Sequence, residues 1–156
     1  TPPKVSTVLS DKLMGTSSIT VFRDQITEYQ RGAFYRQFDS YLEGHGFELA
    51  YFLCFPAYAK TQDNLASAFI KIYEGKEVNF LTPLDCPIDL EDIVAGRVSF
   101  LEDFLYIADV GDNPYIKVYE RFEKPSQPIF EGTPQQLIRE VGRTEDIPDG
   151  RGYISH

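Results

Sequence analysis

The spacing of apolar residues changes several times along the chain, and each spacing predicts a different kind of element. Between residues 24 and 43, apolar side chains recur at steps of three and four, which is the period of an amphipathic helix. Gly44 follows directly and can take the left-handed conformation that ends helices. The pattern therefore predicts one long helix over residues 24–43, preceded by a short β-prone stretch at 19–22.

After this helix the pattern becomes that of strands and short helices. Residues 47–55 are almost continuously apolar and rich in aromatics, which is typical of a central strand covered on both faces. A short helix is predicted over 61–68, with Thr61 or Asp63 as its cap.

The next segments predict hairpins. Residues 69–73 and 78–81 read as two strands around a turn at 74–77, which contains a glycine. Two further strands, 104–108 and 115–122, are predicted on either side of a turn. That turn is residues 111–114.

Capping residues predict two more helices. Asp89 is placed as the N-cap of a short helix over 89–95. Thr133 and Gln136 match a capping box around Pro134, which favours the first turn of a C-terminal helix.

Together these elements predict an α+β fold. We expect a single domain over residues 1–156, with a mostly antiparallel sheet, one long helix in the N-terminal half and a C-terminal helix. Residues 1–15 are expected to form a flexible arm, and residues 143–156 a flexible tail.

Composition agrees with a folded domain. The chain has 156 residues, of which 42% are hydrophobic and 14% aromatic, so it can form a core and is too apolar for a disordered chain. Its longest apolar run, residues 47–56, is far shorter than the ~18 residues of a membrane span, and we expect no membrane association. Cys54 and Cys86 lack metal-site spacing, so we expect the cytoplasm, with a disulfide between them as the alternative.

Charge is distributed unevenly. The net charge is −9, and residues 85–112 contain eight acids against one base, Arg97. Such a field repels nucleic acids and anionic membranes and attracts cations or basic proteins. Since ordinary surfaces mix both signs, we predict an acidic face that binds a basic protein partner. The alternative is that these acids cap helices or lie in solvated loops.

The residues predicted to contact that partner fall into two groups. The acids that would supply complementary charge are Asp85, Asp89, Glu91, Asp92, Glu102 and Asp103. Tyr106, Tyr115 and Tyr119 are candidate anchors, because exposed Tyr beside acids is a common interface composition. Tyr115, Lys117 and Tyr119 alternate onto one face of their strand, which is also consistent with a packed sheet face.

Catalytic chemistry has little support. His45 lies between two glycines just past the predicted long helix, and no nucleophile motif, phosphate loop or His/Cys cluster accompanies it. We predict no catalytic residue, metal ligand or cofactor. Three alternatives stay open: a small hydrolase or ligand-binding domain whose pocket pairs His45 with carboxylates, a cation site at residues 109–113, and a structural or assembly subunit. The oligomeric state is not predicted.

Three segments resemble a known superfamily. They are 35–46 (YRQFDSYLEGHG), 105–113 (LYIADVGDN) and 133–141 (TPQQLIREV). Their order resembles that of the SMI1/KNR4-like (SUKH) superfamily, in which a helix rich in tyrosine and leucine runs into a glycine. The resemblance implies an α+β domain that binds other proteins, often as an immunity protein that neutralises a secreted bacterial toxin. We therefore expect a non-enzymatic immunity or inhibitor protein.

A second resemblance is shorter. Residues 89–93 (DLEDI), 105–113 and 116–119 (IKVY) are similar to one blade of phytase-esterase-like β-propellers. A propeller needs at least four blades of about 40 residues, and nothing before residue 85 repeats this pattern. The chain as a whole is therefore not predicted to be a propeller.

Overall fold

A mixed six-stranded sheet forms the centre of the fold. The computed structural model describes residues 16–55, 64–73, 81–121 and 127–147. The strand order is β3-β2-β1-β4-β5-β6, with β1 and β4 parallel and every other neighbouring pair antiparallel. The strands are β1 Ser18–Asp24, β2 Gln30–Arg36, β3 Leu81–Leu84, β4 Phe104–Val110, β5 Tyr115–Glu120 and β6 Phe130–Gly132. The predicted α+β fold with a mostly antiparallel sheet is confirmed.

Short helices connect and cover the strands. They are α1 Phe47–Leu53, α2 Leu65–Tyr73, α3 Leu90–Val94 and α4 Pro134–Glu140, with a π-helical turn at Leu42–Gly46 and a 3₁₀ turn at Thr144–Asp146. None of the helices in the described ranges has the length and apolar content needed to cross a bilayer.

The two faces of the sheet are covered unequally. Side chains of α1, α2 and α4 pack on the first face and form a large core, which includes Phe22, Phe34, Leu49, Phe69, Tyr106, Val118 and Leu137. Among the described residues, the short helix α3 packs on the second face. Its small core consists of Val21, Ala33, Leu90, Ile93, Leu105, Ile107 and Tyr119. Because α3 has only five residues, the described ranges leave part of the second face uncovered.

The predicted long helix over residues 24–43 is wrong. This segment is instead the end of β1, a turn, and β2. The Asp24 carboxylate accepts hydrogen bonds from the backbone N–H groups of Ile26 (3.0 Å) and Thr27 (2.8 Å), which closes the turn. Consecutive β2 residues, such as Ala33 and Phe34, are both buried because both sheet faces are covered, so the strand lacks a clean alternation.

The strands predicted at 47–55 and 69–73 are also wrong. The first segment contains α1, and the second is the end of α2. Both helices are apolar over most of their circumference because they lie in the large core, and a short buried helix cannot be distinguished from a buried strand by apolar spacing alone. The predicted turn at 74–77, most of the strand at 78–81 and the caps Thr61 and Asp63 lie outside the described residues.

The helices predicted to begin at Asp89 and Thr133 are confirmed as α3 and α4, whereas the helix predicted over 61–68 is shifted and is α2, Leu65–Tyr73. Asp89 accepts a hydrogen bond from the backbone N–H of Asp92 at 3.5 Å, which is a long bond. Thr133 accepts from the Gln136 N–H at 3.1 Å, and the Gln136 side chain accepts from the Thr133 N–H at 2.8 Å, which completes the capping box.

The strands predicted at 19–22, 104–108 and 115–122 are confirmed as β1, β4 and β5, except that β5 ends at Glu120, Arg121 is in a turn and residue 122 lies outside the described ranges. Residues 143–147 are the described part of the predicted tail, and there the Arg143 guanidinium lies 4.0 Å from the centre of the Phe47 ring. The rest of that predicted tail and the predicted arm, residues 1–15, are not described.

Candidate functional site

A groove of about 580 Å³ opens to solvent on the second face of the sheet, beside α3. Ile107 of β4 and Tyr119 of β5 contribute apolar surface from the sheet, and Leu90 and Val94 contribute it from the helix. A volume of this size is within the range of ligand sites in proteins.

The start of α3 is fixed to the sheet by one side chain. The Gln30 amide donates a hydrogen bond to the Ile88 carbonyl at 2.7 Å and accepts one from the Ile88 N–H at 2.6 Å. Leu90 and Ile93 are buried beneath the helix. These contacts hold the acidic residues of α3 along the groove.

Acidic side chains line the groove on the side of α3 and the β1–β2 turn. They are Glu28, Asp89 and Glu91. A hydrogen bond between the carboxyl groups of Asp89 and Asp92 raises the pKa of Asp89 and lowers that of Asp92. Arg97 is 2.6 Å from a carboxylate oxygen of Asp92 but 3.6 Å from one of Glu91, so it compensates Asp92 more closely.

Two basic side chains from the sheet also line the groove. Arg23 of β1 forms a two-bond fork with Asp109, at 2.7 and 3.1 Å, and this pairing raises the pKa of the guanidinium. Lys117 of β5 is half-buried and lies opposite Glu131 of β6, and its ammonium group makes no hydrogen bond or ion pair within 4.0 Å with any described residue.

Residues of the candidate cation site at 109–113 are engaged by protein side chains. Asp109 is engaged by Arg23, and the Gln25 side chain donates to the Asn113 carbonyl at 2.7 Å. Within the described ranges, no group of three or more His, Cys, Asp or Glu side chains is arranged to hold a metal ion.

The groove brings together three of the predicted contact residues. Asp89, Glu91 and Tyr119 all line it. Tyr119 is only 8% exposed, so it belongs to the groove surface and does not project as an anchor. Burial raises the pKa of its hydroxyl.

Most of the other predicted acids lie away from the groove. Asp85 is exposed just after β3, and Glu102 is half-buried just before β4. Asp103 accepts a hydrogen bond from the Ser17 N–H at 3.0 Å and lies 3.5 Å from Arg121.

Two of the predicted tyrosine anchors are already engaged. The Tyr106 anchor is wrong, because the ring is fully buried in the large core and its hydroxyl donates to the Ser40 carbonyl at 2.6 Å. Tyr115 is half-buried, and its hydroxyl donates to Glu131 at 3.0 Å.

His45 belongs to a buried polar network. Its side chain has 0% exposure and lies in the large core, beneath the first face of the sheet. The Arg36 guanidinium donates to His45 Nδ1 at 3.0 Å, so the proton is on Nε2, which donates to Thr20 Oγ1 at 2.7 Å. Arg36, itself 1% exposed, also donates to Glu48 at 2.5 Å.

The predicted pocket pairing His45 with carboxylates is therefore wrong. Burial, and secondarily the charge of Arg36, hold the pKa of His45 well below its usual range. A neutral imidazole with both nitrogens bonded inside the core has no access to a substrate.

The two cysteines, Cys54 and Cys86, are both free thiols.

Several residues that line the groove were not predicted as site residues from the sequence. Arg23 and Gln30 lie at the ends of the two strands of the β1–β2 hairpin, and Glu28 lies in its turn, where a long helix was predicted. Lys117 could have been predicted as a groove residue, because the alternation of β5 places its side chain on the same face as that of Tyr119.

Comparisons with protein-family models, with curated proteins and with solved structures give no match. The fold defines the chain as an α+β domain, and its described residues form a groove on the second sheet face that is lined by acidic and basic side chains.

Proposed function

We propose that the chain is a non-enzymatic protein-binding domain that engages a basic protein partner through the acidic surface of residues 85–103 and the adjoining groove. This segment has six acids and one base, Arg97. Arg97 and Arg121 compensate Asp92 and Asp103, which leaves Asp85, Asp89, Glu91 and Glu102 as the remaining negative charges. A basic partner complements them and associates faster at low salt.

The observation that carries the proposal is the position of Asp89 and Glu91 beside apolar surface. Both residues line the groove with Val94 and Ile107. The same segment exposes Val98 (44%) and Leu101 (74%) near its end. Acidic groups around apolar contacts are the composition expected of a specific interface, in which apolar contacts contribute affinity and charges contribute selectivity.

An immunity or inhibitor role is the more specific form of this proposal. Its support is the resemblance of residues 105–113 and 133–141 to the SUKH superfamily. Residues 35–46, where that superfamily has a helix, instead contain the end of β2 and the π-helical turn. The free thiols of Cys54 and Cys86 are consistent with a reducing compartment such as the cytoplasm. A toxin encoded by a neighbouring gene would be the first natural partner to test.

Selection from a phage-displayed library of random 12-residue peptides tests the binding proposal. We expect enriched peptides to be rich in Lys and Arg, and to bind more weakly as salt is raised. The double variant Glu28→Lys/Glu91→Lys, which keeps the Asp89 cap, should weaken binding at least tenfold. The matched control is Glu140→Lys/Glu145→Lys, which reverses two exposed acids away from the groove and should change affinity less than twofold. Equal losses in the two double variants, or no basic enrichment, would contradict the proposal.

A further inference from the structure

We infer that Ile26 and Tyr29, in the turn between β1 and β2, are the apolar anchors of this interface, and that the bound part of the partner is a basic segment with apolar side chains. The inference rests on the proposed function, because it concerns the same partner. It assigns the anchor role to residues other than the tyrosines predicted from the sequence.

The β1–β2 turn leaves an unusual amount of apolar surface in solvent. Ile26 is 87% exposed and Tyr29 is 73% exposed. Two of the three most exposed large hydrophobic side chains in the described ranges therefore lie in one turn, and neither belongs to the large core or the small core. Single exposed apolar residues are common on protein surfaces, whereas a concentration of them marks an interaction site.

The hydrogen bonds that fix this turn are made by backbone groups and by other side chains. The Asp24 carboxylate accepts from the Thr27 hydroxyl at 3.0 Å, in addition to its two backbone bonds, and the Asp24 N–H donates to the Tyr29 carbonyl at 2.7 Å. The Gln25 side chain donates to the Asn113 carbonyl at 2.7 Å and accepts from the Asn113 N–H at 3.3 Å, which ties the turn to the one between β4 and β5. Because the backbone is already ordered, contact with the two exposed side chains costs little conformational entropy.

The charge of this end of the sheet indicates which occupant fits. Residues 23–31 and 109–114, which are the two turns with the ends of their strands, contain four acids and two bases. One of those bases, Arg23, is paired with Asp109. A second copy that met this end with its own would bring like charges together, and an anionic membrane would be repelled. A basic protein segment is complementary to it.

The turn is continuous with the groove. Glu28, which lines the groove, is next to Tyr29 and two residues after Ile26, so the Cα atoms of both anchors lie within about 8 Å of that of Glu28. An extended segment of 12 residues spans about 40 Å, which is enough to cover the groove and the turn together. Its basic side chains would pair with the acids of the groove, and its apolar side chains would contact Ile26 and Tyr29.

The test uses purified 12-residue peptides from the selection described above, which should carry apolar residues beside their Lys and Arg. The double variant Ile26→Ser/Tyr29→Ser should bind them at least tenfold more weakly than the wild type. Replacing the apolar residues of a peptide with Ser should weaken binding to the wild type at least tenfold, and binding to the double variant less than twofold.

Two further variants serve as controls. Ile26→Val/Tyr29→Phe keeps apolar surface in the turn and should bind the peptides with less than threefold loss. Ile129→Ser removes an exposed isoleucine that does not line the groove and should change affinity less than twofold. Circular dichroism and thermal melting check that each variant is folded.

The outcomes separate the two proposals. Wild-type affinity in Ile26→Ser/Tyr29→Ser, or a loss confined to Val98→Ser/Leu101→Ser, would overturn the anchor assignment and leave the proposed function intact. Peptides that need the two anchors, but bind independently of salt and of the acids of the groove, would overturn the proposed function and keep the apolar contact. Self-association of the wild type in sedimentation, abolished by the double variant, would show that a second copy covers the turn, which overturns the partner segment.

Discussion

The buried pair of Arg36 and His45 shows how charge is tolerated in the large core. The guanidinium donates to Glu48, to His45 and to the Phe38 carbonyl at 2.6 Å, so its donors have several acceptors. The imidazole is surrounded edge-on by Phe34, Phe69 and Tyr106. A second positive charge on the ring would face Arg36 without a free acceptor, so protonation and folding oppose each other.

This opposition predicts a pH dependence of stability. The folded state holds the pKa of His45 well below that of the unfolded chain, so the unfolded state binds a proton that the folded state does not. The free energy of unfolding should be unaffected by His45 above about pH 7 and fall below pH 6.5, with a limiting slope of about 1.4 kcal/mol per pH unit. Urea unfolding at several pH values between 5 and 8 measures this slope.

Two histidine variants identify the group responsible for that slope. The glutamine of His45→Gln does not titrate, so the slope of unfolding free energy between pH 6.5 and pH 5 should disappear in this variant. The variant should also be less stable than the wild type at pH 8. His156→Gln removes the other histidine of the chain and should keep the slope. A slope that persists in His45→Gln would show that other groups cause it.

Among the elements, α4 depends most clearly on its cap. Replacing Thr133 with Ala removes the side-chain acceptor for the Gln136 N–H and breaks the capping box. We expect a loss of about 1 kcal/mol in unfolding free energy, seen as a fall of about 3 °C in the melting temperature. Gln135→Ala in the same helix is the control and should change stability by less than about 0.5 kcal/mol. Equal effects of the two changes would argue against the cap.

The success of the sequence predictions differed between elements for a physical reason. The starts of α3 and α4 were predictable because Asp89 and Thr133 act on backbone groups of their own turn. The β1–β2 hairpin was not, since Ala33 and Phe34 are buried on opposite faces and Arg36 is a charged residue inside the core. Its apolar spacing therefore reflects tertiary packing and imitates the period of a helix.

At the scale of the whole molecule, the two sheet faces should differ in local stability. α3 has five residues and is held over the second face mainly by Leu90 and Ile93. β1 and β4 lie at the centre of the sheet, between other strands and beneath the large core. We therefore expect α3 to open without unfolding of the sheet.

Native-state hydrogen exchange tests this difference. The amides of Ile93 and Ala95, which bond within the α3 region, should exchange at least tenfold faster than those of Tyr106 and Ile107. Their exchange should also depend weakly on low concentrations of urea, because little surface is exposed when α3 alone opens. Equal protection and equal urea dependence in both regions would show that α3 unfolds only with the whole domain.

The candidate site was only partly predictable because it is assembled by topology. Asp89, Glu91 and Tyr119 were selected from charge and from the alternation of β5. Arg23 and Lys117 lie far from each other in sequence and share the groove only through the order β1-β4-β5. No local pattern encodes that order.

The parallel pairing of β1 with β4 has a consequence for synthesis. Its paired residues are 86 positions apart, so β1 has only β2 as a neighbour until β4 leaves the ribosome. At translation speeds of about 5 to 20 residues per second, this interval lasts roughly 4 to 17 seconds. During it, Phe52 and Phe69, which contact Phe22 and Phe34, emerge with α1 and α2. The backbone edge of β1 that later pairs with β4 stays unpaired, and such an edge can pair with another chain.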